Sequence, residues 1–557
     1  MLSAWSKLLG NLRAFRRARE GNVAITFAVA ALPILGFVGA AVDYSHANSV
    51  RVALQSALDS TALMLARDAA TINQDALNTK ALAYFQALFT KPEGSNIKIS
   101  ATYTTAGGSA VAVNGAVDVP TTFMGIAGFE HITVSGSATS KWGSTRLRVA
   151  LALDTTGSMN SDGKMTALKS ATKNLLTQLE AAASNNGDVY VSIVPFSKNV
   201  NVGPSNYNAN WIDWTDWEAT PTIISGDIRS SASTWEQVGP GDSCPFDTSG
   251  WGGTNKYGFG CTTTPTGTTT TNTVPSSGTY KGYICPSTDS GKNNSTKIGI
   301  MYNGCYKSVE STRTISTGKH ASCGSAVNCS CSGNNNNKKC TQTYYEHPWV
   351  LNAKSTWNGC VTDRGTTSGP SSDYDRKVVA PGAAAASKYP AEQNAYCSPQ
   401  AMGLSYSWST MKSLAENLYP LGATNQPIGL VWGWQSLVGG GPFTVPAKEA
   451  DYKYTEAIIL MSDGMNTLNR WYGNGSSTNT SVDKRMYDNG PGTCANIKAA
   501  GITIYTIHVN TDNDPVSTLL KNCASDSEKF WTVTSAGDLV NVFSQIGTNL
   551  TKLRVAK

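Results

Sequence analysis

Three oxygen-bearing side chains at alternate positions of one short stretch are the residues best suited to chemistry in this sequence. Asp154, Thr156 and Ser158 follow the apolar run 147–153 and precede a helix-like pattern. A carboxylate and two hydroxyls in a strand-to-helix loop offer hard oxygen ligands to one point, which suits Mg²⁺ or Mn²⁺ better than zinc. Taken alone, the stretch also fits an ordinary loop with helix-capping side chains.

Two later stretches place similar side chains at the edges of predicted elements. Asp463 ends the buried-strand pattern 456–463, and Thr424 lies in a turn just before the helix-like run 427–437. In open α/β sheets, ligands bind at the carboxyl ends of the strands. Three oxygen-bearing loops at such an edge are what a metal site assembled across a sheet requires, so the sequence predicts one there.

These loops resemble the metal-ion-dependent adhesion site of von Willebrand factor type A domains, in which a D-x-S-x-S loop, a distant Thr and a distant Asp surround one divalent ion. The resemblance assigns the site to Asp154, Thr156, Ser158, Thr424 and Asp463. The sequence departs from the pattern at Thr156, where the family has Ser: the hydroxyl is kept and the added methyl group crowds the loop. The resemblance implies bound Mg²⁺ or Mn²⁺, hydroxyls that bind the ion directly, and carboxylates that hold its waters.

The region from 145 to 557 alternates strand and helix patterns, as a von Willebrand type A (Rossmann-like) α/β fold would. Strand patterns at 189–197, 502–509 and 530–533 are separated by helical patterns, and a further helical run is expected over 402–418. Such alternation predicts a mainly parallel sheet covered by helices on both faces. Spacing predicts the core-facing residues of the first helix: Met165, Leu168, Thr172, Leu175 and Leu179.

The segment 198–400 interrupts this pattern and is predicted to be a Cys-rich insertion. It holds ten of the twelve cysteines and is rich in Gly, Ser, Thr and Asn. An even number of spaced cysteines with little apolar periodicity predicts disulfides in an exported protein. Zinc is the alternative for one group, although its C-x-C pair lacks the usual spacing: Cys323, Cys329, Cys331 and Cys340. Cys494 and Cys523 lie on neighbouring predicted helices and are expected to pair.

The insertion is also rich in tryptophan. Such side chains can stack on sugars, but in a sparse core they more often serve as packing anchors, so packing is the favoured interpretation and glycan binding the alternative. The residues concerned are Trp211, Trp214, Trp217, Trp235 and Trp251.

The N-terminal region predicts one membrane crossing. A basic segment, 1–20, precedes a stretch without charge that ends at Asp43, and a helix over 21–44 would cross a hydrocarbon core of ~30 Å. The positive-inside rule then keeps residues 1–20 in the cytoplasm and exports the rest, which predicts a single-pass membrane protein with its bulk outside the cytoplasm. A cleaved signal peptide is the alternative, but the apolar run exceeds the usual length of about 7–15 residues.

Residues 45–144 follow with a helical pattern that breaks near Asn73 and then short alternating runs, which predict antiparallel strands. The stretch REGNVAITFAVAALPILGFVGAAVDY with LQSALDSTALMLA is similar to the start of TadG-like proteins of Flp/Tad pilus assembly, over roughly the first 70 residues. Prepilin-type signals place Glu at the fifth position after a Gly, but the fifth residue after Gly21 is Thr26. The sequence therefore favours a retained anchor over a processed pilin subunit. The resemblance implies that this anchor lies in the bacterial inner membrane, with the bulk of the protein periplasmic or extracellular.

Composition narrows the function further. Only 15% of the 557 residues are charged, which suits an extracytoplasmic protein, and much of the net charge of +6 belongs to the N-terminal segment, so nucleic-acid binding is not expected. The sequence contains no G-x-S-x-G, P-loop or H-E-x-x-H motif, and a non-enzymatic role is predicted.

The expected function is metal-dependent binding of a protein partner, either a pilus component or a surface ligand, whose acidic side chain would complete the coordination of Mg²⁺. The alternatives are a structural pilus-machinery component or pilin-like subunit with a vestigial metal site and, less favoured, a glycan-binding adhesin.

Overall fold

The computed structural model describes residues 21–105, 108–142, 145–220, 235–239, 278–280, 282–286, 288, 295–366, 369, 374–450, 452–487 and 492–555. Its chain divides into two compact units, which are described separately. The described part of the first comprises residues of 21–145 and 449–453 with residue 555, and the second comprises residues 146–448 and 454–554.

The first unit packs two helices on an antiparallel sheet with the order β1-β2-β3. Apolar residues recur along one side of the C-terminal half of α1, including Ala47, Val50, Leu54 and Leu58, and they are buried against α2 and the sheet. Asn73 caps α2 by accepting a hydrogen bond from the Ala76 N–H, which confirms the predicted helix break. The elements are α1 (Gly21–Leu65), α2 (Gln74–Leu88), β1 (Ser95–Thr104), β2 (Ser109–Pro120) and β3 (His131–Trp142).

Helix α1 carries the predicted membrane-spanning stretch. Among the described residues, it is the one helix that is long and apolar enough over Thr26–Leu65 to cross a membrane, on the criteria of length and composition. Its N-terminal half exposes large apolar side chains such as Phe27, Leu32 and Phe37, whereas the seam that packs into the folded unit begins near Gly39.

The second unit is built on a six-stranded sheet with the order β17-β5-β4-β18-β19-β20. Strand β4 is parallel to β5, and β18, β19 and β20 are parallel in turn, whereas the edge strand β17 is antiparallel to β5. The predicted mixed α/β fold with a parallel-rich sheet is therefore confirmed. The elements on either side of the 198–400 segment are β4 (Thr145–Asp154), α3 (Lys164–Ala182), β5 (Val189–Phe196), β17 (Met402–Ser405), α5 (Trp408–Glu416), α6 (Gln426–Val438), β18 (Lys453–Ser462), α7 (Thr480–Tyr487), α8 (Thr493–Ala499), β19 (Thr503–Val509), α9 (Thr518–Cys523), β20 (Phe530–Val533) and α10 (Asp538–Val555).

Both faces of this sheet are buried. Alternate residues of β4 enter two apolar clusters, with Leu151 and Leu153 on the α3, α5 and α10 side and Ala150 and Ala152 on the α6 side. The five core residues predicted for α3 are all buried. On the other face the small alanines let α6 approach closely, because a Cβ at Gly433 would lie only 3.6 Å from that of Ala152.

The predicted helix over 402–418 is partly wrong. Met402–Ser405 form the antiparallel edge strand β17, and the helix is confined to Trp408–Glu416. Pairing with β5 satisfies the backbone of this short segment, and such tertiary pairing overrides local helical spacing.

Side chains of the 198–400 segment form part of the apolar core on one face of the sheet. Its two ends pair with each other through β6 with β15 and β7 with β16. Its side chains cover the outer side of α6, where Tyr389 donates a hydrogen bond to Gln435 Oε1 at 3.0 Å and packs on Trp432. This cover explains why α6 is buried on all sides. The described elements of the segment are β6 (Val200–Asn201), β7 (Ile212–Asp213), α4 (Thr215–Glu218), β8 (Gly278–Tyr280), β9 (Tyr283–Cys285), β10 (Gly304–Lys307), β11 (Val309–Thr317), β12 (Cys329–Ser332), β13 (Lys339–Glu346), β14 (Trp349–Leu351), β15 (Cys360–Val361) and β16 (Tyr389–Pro390).

The tryptophans of the segment pack among other aromatic rings. Trp214 contacts Trp217 and Trp357 edge to face, and Trp211 contacts Tyr389 in the same way. Trp235 packs edge-on against Tyr306, and Trp251 lies outside the described residues. Trp211, Trp214, Trp217 and Trp235, the four described residues of the five predicted, therefore serve as packing anchors.

Disulfides join all ten cysteines that the structure describes, which confirms the predicted disulfide bonding; Cys244 and Cys261 lie outside the described residues. The sulfurs of Cys323, Cys331 and Cys340 lie within 4.8 Å of one another, but each belongs to a disulfide and so offers no thiolate to zinc. The bonds are Cys285–Cys305, Cys323–Cys329, Cys331–Cys340, Cys360–Cys397 and Cys494–Cys523.

Of the two disulfides Cys494–Cys523 and Cys323–Cys329, the first should contribute more to stability because it closes the longer loop. It spans 29 residues between α8 and α9, and loop closure predicts that Cys494→Ser with Cys523→Ser lowers the free energy of unfolding by roughly 3–4 kcal/mol. The matched control, Cys323→Ser with Cys329→Ser, opens a bond that spans 6 residues and should cost roughly 2 kcal/mol. Chemical denaturation of the three proteins measures the difference, and an equal loss in both variants would contradict the loop-closure argument.

Candidate metal site

The predicted site residues come together at the carboxyl ends of β4 and β18. Asp154 is the last residue of β4, and Asp463 follows Ser462, the last residue of β18. The two carboxyl ends meet, because Ser462 Oγ donates a hydrogen bond of 2.5 Å to Asp154 Oδ2. Asp154, Asp463 and Thr424 are buried, whereas Ser158 is exposed, so the site opens to solvent beside Ser158.

Four of the five predicted residues form one chain of oxygen atoms. Ser158 Oγ lies 3.0 Å from Thr156 Oγ1 and donates to Asp463 Oδ1 at 2.7 Å, and Thr424 Oγ1 lies 3.4 Å from Thr156 Oγ1. These separations are close to the edge of about 2.9 Å that an octahedron with Mg–O distances of 2.0–2.1 Å would have. The donor set of hydroxyl and carboxylate oxygens therefore fits Mg²⁺ or Mn²⁺, although each contact is also a hydrogen bond in its own right.

Asp154 has a different position from the other four. Its Oδ1 accepts a hydrogen bond from the Thr156 N–H at 2.8 Å, and its Oδ2 accepts from Ser462. It therefore fixes the loop that carries the hydroxyls. Burial raises the pKa of the Asp154 carboxyl to about 7, and the nearby charge of Asp463 adds to the effect. Burial also raises the pKa of Asp463.

A buried lysine neutralises part of this acidic site, and the sequence did not reveal it. Lys164 is the first residue of α3, and its ammonium group donates to Asp463 Oδ2 at 3.0 Å and to Asp512 Oδ2 at 2.7 Å. The lysine is only 1% exposed. Its charge lowers the cost of burying the Asp463 carboxylate and would also repel a cation bound beside that carboxylate.

Backbone and side-chain hydrogen bonds hold the Thr424 loop against the Asp154 loop. The Gly157 N–H donates to Gly422 O at 2.9 Å, and Thr424 N–H donates to Thr467 Oγ1 at 2.9 Å. Gly422 has φ +84°, a left-handed conformation that favours glycine. Asn425 caps α6 and also donates to Asp363 Oδ2 at 3.0 Å, so the 198–400 segment supports this loop.

His508 lies at the same edge of the sheet but makes no hydrogen bond to the five site residues. It is buried at the end of β19, and its Nδ1 accepts a hydrogen bond from the Ser517 N–H at 3.3 Å. Burial lowers the pKa of this imidazole, which keeps it neutral.

The strand pattern of the sequence was sufficient to locate Asp463 and the neighbouring Ser462. For Lys164, the sequence gave no indication other than its position at the start of a helical pattern.

Comparisons with known proteins give one match in sequence and several in structure. Among curated proteins, none matches this chain. The pilus adhesin SpaC from Lactobacillus rhamnosus GG is similar with 12% identity and a TM-score of 0.28, over 84% of this chain and 36% of that one, so this chain spans about a third of its length. The von Willebrand factor domain of the type V pili tip protein Mfa5 from Porphyromonas gingivalis is similar with 9% identity and a TM-score of 0.27, over 73% of this chain and 94% of that one. TM-scores below 0.5 at such low identity do not support a conclusion about function.

The sequence match concerns the N-terminal helix. A family model described as putative Flp pilus-assembly TadE/G-like matches residues 21–68, which lie in α1 and the turn that follows it. The resemblance of this region to TadE/G-like Flp pilus-assembly proteins is thus confirmed over residues 21–68.

Proposed function

We propose that this protein is a membrane-anchored, extracytoplasmic component of Flp pilus assembly or adhesion that binds a protein partner through a divalent cation. The observation that carries the proposal is the convergence of Thr156, Ser158, Thr424 and Asp463 from three loops, with oxygen separations of 2.7–3.4 Å. The family match of residues 21–68 supports the pilus context.

The domain that holds the site is, in this proposal, a von Willebrand type A domain with a Rossmann-like sheet. Two observations support it. The sheet is parallel-rich, and both of its faces are covered by helices. The three loops meet at the carboxyl edge of the sheet, which is where open α/β sheets bind ligands.

Mg²⁺ or Mn²⁺ bound here would offer an electrophilic position to a carboxylate oxygen of the partner. The residues of this chain would hold and orient that ion: the hydroxyls of Thr156, Ser158 and Thr424 would bind it, and Asp154 fixes the loop of Thr156 and Ser158 through the Thr156 N–H. The exposed Ser158 leaves the approach open to an acidic side chain. We propose binding and not catalysis, because the carboxylates beside these hydroxyls hold the loops in place: Asp154 binds the Thr156 N–H and Asp463 accepts from Ser158.

A second candidate is a structural pilus component or pilin-like subunit whose metal site is vestigial. Lys164 favours this alternative, because its buried ammonium already supplies a positive charge to Asp463. The two functions differ in whether partner binding needs a divalent ion.

Capture of partners on the full chain in detergent tests the proposal. Proteins from a piliated strain should bind in Mg²⁺, be released by EDTA, and bind again when Mg²⁺ or Mn²⁺ is restored. Capture that is the same with and without EDTA would discard the metal-dependent function and favour the structural alternative.

We also propose that residues 21–44 cross the bacterial inner membrane once, with residues 1–20 in the cytoplasm. Protease added to spheroplasts should then digest the region after Ser45, because the basic residues before the span keep the N-terminus inside. A cytoplasmic marker protein is the control for membrane integrity. If the large region survives until the membrane is broken, the orientation is wrong.

A further inference from the structure

The loop between β2 and β3 exposes a cluster of large apolar side chains. Residues 121–129 (TTFMGIAGF) contain no charge. Phe123 is about half exposed, Phe129 is more exposed, and Ile126 is 87% exposed at the tip. Exposed apolar clusters of this kind mark contact sites for proteins or membranes.

Two residues of α1 hold this loop against the helix. A Cβ at Gly39 would lie 2.4 Å from Phe123 Cβ, so the absence of a side chain at Gly39 is what lets the loop approach. One turn later, the buried Asp43 carboxylate accepts hydrogen bonds from the N–H groups of Thr122, Phe123 and Met124 at 3.0, 2.9 and 2.7 Å. The loop is thus fixed to a defined level of the helix.

That level lies inside the charge-free stretch. Gly39 precedes Asp43 by four residues, and the helical rise of 1.5 Å per residue puts it about 6 Å further towards the predicted bilayer. Amphipathic elements at a membrane surface bury their apolar side to a depth of about 5–10 Å. Phe37, Val38 and Val42 of the helix are exposed at the same level, so the loop continues the apolar surface of the span.

The backbone of the loop suits a low-dielectric environment, in which unpaired polar groups are costly. Besides the three N–H groups bound by Asp43, Thr121 N–H donates to Glu130 O and Ile126 N–H to Phe123 O. Gly128 N–H and Phe129 N–H donate to Gly125 O and Met124 O, and the Thr121 hydroxyl donates to Phe129 O. The N–H groups of the loop are therefore largely satisfied without water.

We propose that loop 121–129 inserts Phe123, Ile126 and Phe129 into the lipid interface and forms a second membrane contact beside the span. The inference rests on the proposed anchoring of residues 21–44. The occupant is lipid because the apolar side chains are continuous with the surface that α1 presents to the bilayer. A contact of this kind would fix the tilt of the first unit relative to the membrane.

Photo-crosslinking of the full chain in phosphatidylethanolamine and phosphatidylglycerol vesicles tests this contact. The photoreactive residue p-benzoylphenylalanine would replace Ile126, or Leu35 within the span as a positive control. Leu63 is the matched negative control, because it is 71% exposed on α1 but lies about 36 Å along the helix from Gly39. Mass spectrometry then separates lipid adducts from protein adducts.

We expect lipid adducts at positions 126 and 35 and about tenfold less at position 63. Adducts at 35 without adducts at 126 would overturn the loop contact and leave the anchor standing. Protein adducts at 126, with a second copy or another protein, would overturn it in favour of a protein-docking loop. Failure at position 35 would refute the anchor itself, and the loop inference with it.

Discussion

Replacing Asp463 by Ala should weaken Mg²⁺ binding by at least 10–100-fold, the range typical for loss of a residue that orients metal ligands or their waters. Asp463 Oδ1 accepts the hydrogen bond of Ser158 at 2.7 Å, so its loss frees that hydroxyl as well as removing a negative charge. Asp154→Ala should have a similar effect through the Thr156 loop, whose N–H it binds. Isothermal titration of the full chain with Mg²⁺ and Mn²⁺ measures both.

Lys164 provides a variant that should act in the opposite direction. Lys164→Met removes the ammonium that lies 3.0 Å from Asp463 Oδ2 and keeps much of the side-chain volume. Mg²⁺ should then bind about tenfold tighter or more, because 1.4 kcal/mol of removed repulsion corresponds to a factor of ten. A vestigial site, in which Lys164 is the permanent counter-ion, would bind no ion in either protein.

Asp526→Ala is the matched control for the loss of a carboxylate. This aspartate precedes β20 at the amino end of the parallel strands, opposite the candidate site, and its replacement should leave ion affinity unchanged. Unchanged affinity in both Asp154→Ala and Asp463→Ala would refute the site. Lost affinity with normal attachment of piliated cells would keep the site and remove its adhesive function.

The sequence predicted those site residues whose positions follow from local strand, turn and helix patterns. Asp154 and Asp463 end apolar runs whose patterns predict buried strands, and neighbouring parallel strands bring their carboxyl ends to one edge of the sheet. Thr424 followed from a turn with Gly422 before an apolar helix. The assignment of a metal to these residues stays a prediction.

The sequence could not predict the parts that depend on contacts distant in the chain. Lys164 is the first residue of α3, a position at which a lysine is expected to be exposed to solvent. It can be buried because Asp463 and Asp512, which are distant in the chain, accept hydrogen bonds from its ammonium group. The 198–400 segment has no apolar periodicity because its contribution to the core comes from scattered aromatic residues, such as Trp357 and Tyr389, that pack on α6 and its neighbours.

A buried ionic cluster in the second unit makes the largest predicted contribution to stability. Arg485 on α7 donates to Asp363 and to Asp375 Oδ2, and Arg364 donates to Asp375 Oδ1. All four side chains are at most 4% exposed. Burial opposes the charge of Asp375, but Arg364 and Arg485 together hold the pKa of its carboxyl below the usual value. The cluster joins the 198–400 segment to a helix that follows β18.

Arg485→Ala should therefore lower the free energy of unfolding by about 3–5 kcal/mol, the cost of leaving buried charge uncompensated. Lysine should not rescue the loss, because one ammonium cannot reproduce a planar guanidinium that reaches two carboxylates. The matched control is Arg313→Ala, which breaks an ion pair with Glu236 that is nearly half exposed and should cost less than about 1 kcal/mol. Chemical denaturation of the oxidised full chain measures these differences.

A double variant separates the charge from the packing. Arg485→Met with Asp363→Asn removes one charge of each sign, leaves Arg364 with Asp375, and should recover part of the stability lost in Arg485→Ala, because no carboxylate is then left without a partner. Asn at position 363 keeps a carbonyl oxygen for the Asn425 amide, so the Thr424 loop should remain in place and Mg²⁺ affinity should stay near that of the parent. If Arg485→Ala costs no more than Arg313→Ala, the cluster is not a stability determinant. If the double variant is as unstable as the single one, the loss comes from packing, and uncompensated charge is not its cause.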